Sequence, residues 1–294
     1  MIDSPVYERR LRINETFSLS QTCSPAAWVG ERSPRHRWSN RTLTWVGREA
    51  GITVWRKVSQ PGDGELVVSG TAAPAGDEAW LNDVLGLTTL LPSFFDPVIA
   101  ALERRFSGLR PMSDGGLFEG LITAIVGQSI SVAAAAVTQA KLCAMFTSSI
   151  ELDGRRFSPL PTAEELAAST PEFIRLCGVT GKRAEAIVTA SQRFVAGEFP
   201  DNDWARTHPD ETVTLLLSLP GVGPWTAEST LLWGLGAANA HPTNDVALLR
   251  AARRAFERPD MTLRDLDVLA EAWQPARALA ARLLWTALLG PAPE

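Results

Sequence analysis

The chain has 294 residues, 45% of them hydrophobic and 21% charged, enough for one large or two to three small domains with a substantial core. It holds no run of about 18 uncharged apolar residues, and MIDSPVYERRLRI at its start lacks the apolar core and cleavage site of a secretion signal, so no membrane span and a cytoplasmic location are expected. The net charge of −5 counts against a broad basic surface for nucleic acid, and Cys23, Cys143 and Cys177 lie too far apart for a disulfide framework, a zinc site or an iron–sulfur cluster.

The first seventy or so residues predict an antiparallel sheet. Ile13–Leu19, Thr42–Trp45, Ile52–Val58 and Glu65–Ser69 are short β-branched or aromatic runs, with turn residues such as Gln60-Pro61-Gly62-Asp63-Gly64 between them. Helix signals dominate from Asp77 onward. Leu117, Phe118, Leu121, Ile122 and Ile125 share one helical face. Gly127-Gln128-Ser129 interrupts, and Val132–Phe146 resumes as an alanine-rich helix. Lys182–Ala196 reads as a helix closed by Gly197, and Asp210 as the cap of one ending at Leu217. Helices are expected over Trp225–Gly234 and Asp245–Phe256, then one behind a Thr262–Asp265 capping box. Pro275 is expected to start a final helix through Leu289.

Between two of these helices runs Leu219-Pro220-Gly221-Val222-Gly223. Proline stiffens the entry, Gly221 permits a positive φ, and Gly223 leaves the amides open to close approach by a phosphate. The helix from Pro224 then points free N–H groups and its positive dipole end at that phosphate. A helix-hairpin-helix built this way grips a DNA backbone through amides, so an acidic protein needs no lysine for it. Asp245 sits at a predicted helix start about twenty residues on, after a reversal through Ala240-His241-Pro242. That spacing can return its carboxylate to the hairpin, where it could stabilise positive charge on a deoxyribose or activate a water.

With these residues in place the sequence resembles the helix-hairpin-helix DNA glycosylase superfamily, and within it the 3-methyladenine DNA glycosylase II family. The resemblance covers most of the chain. It rests on Phe118-Glu119 with Ala124–Ser131 (AIVGQSIS), Gly181–Ile187 (GKRAEAI), Leu219–Ala227 (LPGVGPWTA), Asp245 and Ala270–Pro275 (AEAWQP). It implies an α+β fold: a β-rich domain over 1–75, linking helices over 76–115 packed with the C-terminal lobe, and a helical domain over 116–235. The last of these would carry the hairpin at about 211–234, and 236–294 would form a C-terminal helical lobe bearing Asp245.

The resemblance also implies an enzyme that flips a damaged nucleotide from duplex DNA and hydrolyses its N-glycosidic bond. Asp245 takes the place of the catalytic carboxylate. Relatives that also nick the strand carry a lysine nucleophile where this chain has Trp225, which predicts a monofunctional enzyme. Lys182 is the nearest alternative amine but belongs to a different motif. Trp225, Trp273 and Phe118 match base-pocket positions, where an indole face attracts a cationic alkylated purine by roughly 0.5–2 kcal/mol. Trp28, Trp38, Trp45, Trp55, Trp80, Trp204, Trp233 and Trp285 are assigned to core packing. Gln128, Ser129 and Ile130 match the stretch that fills the gap left by the flipped base, with Ser129 where a bulky wedge is common. Val246 stands where a relative may carry an aromatic residue. Leu219, Gly221, Val222, Gly223 and Thr226 would contact the DNA backbone, and Lys182 and Arg183 phosphates. No organic cofactor or side-chain metal site is expected; a monovalent cation on hairpin carbonyls would be compatible. The expected state is a monomer on damaged double-stranded DNA. Two other readings stand beside this one: a same-fold glycosylase for deaminated or oxidised bases, and a protein that binds damaged DNA without cutting it.

Overall fold

A computed structural model describes residues 7–25, 28, 33–71, 73–89 and 92–291. Its first unit is a five-stranded antiparallel sheet of β1 (Tyr7–Arg12), β2 (His36–Ser39), β3 (Thr42–Glu49), β4 (Ile52–Gly62) and β5 (Glu65–Gly70), in the order β1-β5-β4-β3-β2. A one-turn helix, α1 (Leu19–Thr22), lies between β1 and β2. One face of the sheet buries Leu11, Trp38, Leu43, Trp45, Val54, Val58, Leu66 and Val68 against Trp80, Leu81, Val84 and Leu85 of α2 (Asp77–Leu85). Alternation along β4 and β5 makes that face.

The expected strand over Ile13–Leu19 is absent. The edge strand is the charged Tyr7–Arg12, whose Arg10 pairs with Glu65 across the ladder at 3.2 Å. Charges blunt a sheet edge, and they also erase the hydrophobic pattern by which a strand is recognised. Residues 13–19 instead form a turn, with Thr16 N–H donating to Asn14 Oδ1 (2.9 Å), and Ser18 caps α1.

The rest is helical apart from one hairpin. In order come α3 (Pro97–Arg105), α4 (Leu117–Gly127), α5 (Val132–Phe146), the hairpin β6–β7 (Ile150–Leu152, Arg155–Phe157), α6 (Ala163–Ala167), α7 (Pro171–Ile174) and α8 (Gly181–Val195). Then follow α9 (Asn202–Thr207), α10 (Pro209–Leu217), α11 (Pro224–Thr230), α12 (Val246–Ala255), α13 (Leu263–Ala270) and α14 (Arg277–Leu289). Caps mark most starts: Asp96, Ser131, Thr180 and Asp245 each accept a backbone N–H of the first turn, and Thr262 and Asp265 form a full capping box. α10 begins at Pro209, with Asp210 inside its first turn rather than capping it. The helix after the glycine turn changes pitch: α11 gives way at Leu231 to a π-turn, Leu231–Leu235, ended by Gly236 at φ 63°. α14 begins at Arg277 instead of Pro275, because Ala276 is non-helical and spends its N–H on Trp273 O (2.8 Å).

Two buried nodes join the sheet unit to the helices. Asp114 pairs with Arg35 and His36 (both 3.2 Å) and accepts from Thr123 of α4 (2.8 Å), which in turn accepts from Gln139 of α5 (2.9 Å). Arg282 of α14 donates to Ser24 O (2.8 Å), Thr22 O (3.0 Å) and Met112 O (3.4 Å). No single helix among the described residues is long and apolar enough to cross a membrane.

Candidate active site

α10, the turn at 218–223 and α11 form a helix-hairpin-helix. Leu219 and Val222 are buried, and Val222 N–H donates to Leu219 O (3.2 Å), closing the turn. Gly221 has φ 78°, and a Cβ there would stand 3.3 Å from Ala186 Cβ of α8, so the conformation and the close packing both call for glycine. Gly223 N-caps α11 with open space beside its Cα. Lys182 is exposed and Arg183 half-buried at the start of α8, against the same turn.

The turn between α4 and α5 is tied to the hairpin. Gln128 Nε2 donates to Gly221 O and to Thr226 Oγ1, both at 2.9 Å. Thr226 is therefore buried and engaged inside the protein instead of facing a DNA backbone, and Gln128 is committed as the brace between the two turns. Ser129, at φ 53°, and Ile130 remain exposed.

Asp245 stands where these elements converge. It N-caps α12 through Oδ1, which accepts from Leu248 N–H (2.6 Å), while Oδ2 accepts from the indole N–H of Trp225 (2.8 Å). Each carboxylate oxygen is therefore held by its own donor. The far edge of the Trp225 ring reaches Gly127 at the end of α4. Asp245, Trp225, Gln128 and the hairpin thus form one group.

Trp273 and Phe118 are not brought into it. Trp273 is 1% exposed, donates to Asp96 Oδ2 (3.4 Å) and stacks on Phe256, at the opposite end of α12 from Asp245. Phe118 packs edge-on against Phe194 (5.1 Å) and lines a cavity of about 360 Å³ with Trp45, Trp80 and Glu119. It lies nine residues before Gly127, a rise of about 13 Å along α4. Burial raises the carboxyl of Glu119 in that cavity above its ordinary value.

Three tryptophans assigned to separate packing roles form one cluster. Trp28 meets Trp233 (4.4 Å) and Trp285 (5.4 Å) edge-on, and Trp233 stacks on Trp285 (5.6 Å). The guanidinium of Arg282 lies 4.4 Å from the Trp28 ring centre and 5.6 Å from that of Trp233. Burial pulls that guanidinium down to about 9, and the groups it donates to are backbone carbonyls. Trp28 and Trp233 are half-buried. Trp233 is eight residues beyond Trp225, about 12 Å further along the same helix. The cluster draws on three distant segments and has no local signature in sequence. Among the described residues no group of His, Cys, Asp and Glu could hold a metal ion.

No known family profile matches the chain. A DNA-3-methyladenine glycosylase of Bacillus subtilis is 28% identical over 195 residues, covering 66% of this chain and 64% of the relative. DNA-3-methyladenine glycosylase 2 of Escherichia coli is 28% identical over 197 residues, covering 66% of each. The match thus spans a little under two thirds of the length of these relatives. The solved structure of a 3-methyladenine DNA-glycosylase from Archaeoglobus fulgidus superposes with a TM-score of 0.77 at 23% identity, covering 95% of this chain and 97% of that one. With the hairpin and the sheet-then-helices order, these likenesses give the chain the fold of the helix-hairpin-helix DNA glycosylases and a sequence similar to that of DNA-3-methyladenine glycosylases.

Proposed function

We propose that the protein is a monofunctional DNA glycosylase of base excision repair that releases alkylated purines from duplex DNA and leaves an abasic site. The observation that carries this is the pair Trp225–Asp245: a carboxylate fixed by an indole N–H at the mouth of the hairpin, with no amine at position 225. The backbone amides of Gly221 and Gly223 hold one phosphate, the Val222 N–H being spent on Leu219 O, and Lys182 and Arg183 hold its neighbours. The nucleotide is flipped, and Ser129 and Ile130, the exposed residues of the α4–α5 turn, enter the gap. As the C1′–N bond breaks, its electron pair leaves with the base and positive charge grows on the sugar. The Asp245 carboxylate stabilises that charge and takes a proton from the water that adds to C1′. A 3- or 7-alkylated purine is already cationic, so its departure needs no protonating acid.

Trp225 is the aromatic wall beside the carboxylate, and Trp28 and Trp233 the aromatic surface further along the helix. Trp273 and Phe118 support the fold. The same proposal includes a monomeric state, a cytoplasmic location and a monovalent cation that the hairpin carbonyls would hold, where it would offset phosphate charge. One observation favours a second reading, a same-fold enzyme for deaminated or oxidised bases. Arg282 already lies over Trp28 and Trp233, and a cation held there lowers the attraction of those rings for a cationic base.

The deciding experiment is release of free base from duplexes carrying 3-methyladenine, 7-methylguanine, hypoxanthine or 8-oxoguanine. Release of the two alkylated purines, falling about 10²-fold or more in Asp245→Asn, with no borohydride-trapped protein–DNA adduct, is expected. Preferential release of hypoxanthine or 8-oxoguanine would establish the second reading. Release from no duplex would end both.

A further inference from the structure

Residues 236–245, the loop that delivers Asp245, are held at both ends and once in the middle. At the near end Arg277 Nε donates to Asn239 O (3.1 Å) and Oδ1 (3.0 Å), and Ala278 N–H to Ala238 O (3.0 Å). At the far end are the two bonds to Asp245. In the middle stands His241, 2% exposed. Its backbone N–H donates to Glu228 Oε2 of α11 (2.9 Å), and its ring Nε2 lies 3.0 Å from Asp267 Oδ1 of α13. Ring Nδ1 has no partner among the described residues, so the contact with Asp267 runs through an N–H at Nε2.

A buried imidazole of this kind has no part in the reaction above. We propose that His241 is a positioning residue: by pinning the loop between α11 and α13 it sets the seat of Asp245. This rests on the reading of Asp245 as the group that acts on the sugar. The chain from His241 to Asp245 has little freedom to absorb an error. Pro242 is buried with its φ fixed by the ring, and Asn244 is held at φ 62°. α11 fixes both ends of this short span, since Trp225 holds Asp245 and Glu228, one turn on, holds His241. Asp267 adds α13 as a second anchor. The charged groups around the pin are Glu228 and Asp267 themselves, with Arg277 and Asp210 acting on Glu228; burial raises the Glu228 carboxyl above its ordinary value.

The test uses the full chain with His241→Leu, His241→Gln and Asp267→Ala. A displacement of about 1 Å at a reacting group costs roughly 10²-fold. His241→Leu is therefore expected to lower the single-turnover rate of base release by roughly 10- to 100-fold while its Kd for an abasic duplex stays within about twofold. His241→Gln, whose amide N–H can reach Asp267, is expected to recover most of the rate. If His241→Leu does not fold, Asp267→Ala, which alters a partly exposed side chain, is expected to lower the rate in the same direction with Kd unchanged. An equal rate in the variants and the wild type, or rate and affinity falling together, overturns the proposal. The indole N–H resonance of Trp225, assigned with Trp225→Phe, is expected to shift in His241→Leu and return in His241→Gln. That readout needs no turnover. If the wild type releases no base the functional reading fails, while an unmoved Trp225 resonance overturns the pin on its own.

Discussion

At the scale of single residues, the site turns on one hydrogen bond. Trp225 Nε1–H and Leu248 N–H each hold one of the two oxygens of Asp245. A hydrogen bond to a charged group is worth about 1.5–3 kcal/mol, so Trp225→Phe, which keeps a ring and removes the N–H, is expected to lower base release roughly 10- to 100-fold. Affinity for an abasic duplex should be unchanged, because the hairpin amides are untouched; a gel-shift titration beside single-turnover kinetics checks both. Asp245 was legible in sequence because a cap is a local device and its spacing from the glycine turn is short. Trp273 was not. Its residue type fits a pocket wall, but its indole N–H found Asp96, and a sequence does not say which carboxylate a buried donor will meet. Thr226 shows the same limit: the resemblance implies a hairpin backbone contact, and the sequence does not say that its hydroxyl accepts from the amide of Gln128.

Between helical elements, one close approach is glycine on glycine. A Cβ on Gly120 of α4 would lie 2.4 Å from Gly234 Cα in the π-turn, and one on Gly234 would lie 2.5 Å from Gly116 O. This backbone contact fixes α4, which ends at Gly127, against the π-turn that continues α11. Gly120→Ala is expected to destabilise the fold by about 1–3 kcal/mol and to loosen the Gln128–Gly221 brace. Chemical denaturation gives the first effect and hydrogen exchange at the hairpin the second. The sequence pattern marked the long elements well: helix 132–146 and the strands after residue 40 follow from period and caps. It missed β1, whose side chains are mostly charged, and the π-turn, which lies at the tertiary crossing with α4. It also passed over β6–β7, although Asp153-Gly154, both at positive φ, is a strong hairpin signal.

Over the whole molecule, the sheet and the helices are joined through buried polar nodes. Burial alone would raise the Asp114 carboxyl; the Arg35 guanidinium and the bonds from His36 and Thr123 outweigh it and hold it below its ordinary range. A carboxyl lowered in the folded state adds stability that is fully present above its unfolded value of about 4 and is lost as pH falls through the lower folded value. Asp114→Asn leaves the buried Arg35 without its counter-charge. It is expected to cost about 3–5 kcal/mol at neutral pH, with the gap to wild type closing below about pH 4, as read by urea unfolding across pH.

Arg282 has a consequence for how the molecule is made. Its partners Ser24 and Thr22 precede it by 258 and 260 positions. During synthesis, the carbonyls that seat the guanidinium emerge 258 and 260 residues before it. The five strands lie within residues 7–70 and can pair among themselves early, but the surface around residues 22–24 stays unfinished until residue 282 has left the ribosome. Closing the seam is then a late docking step of high contact order.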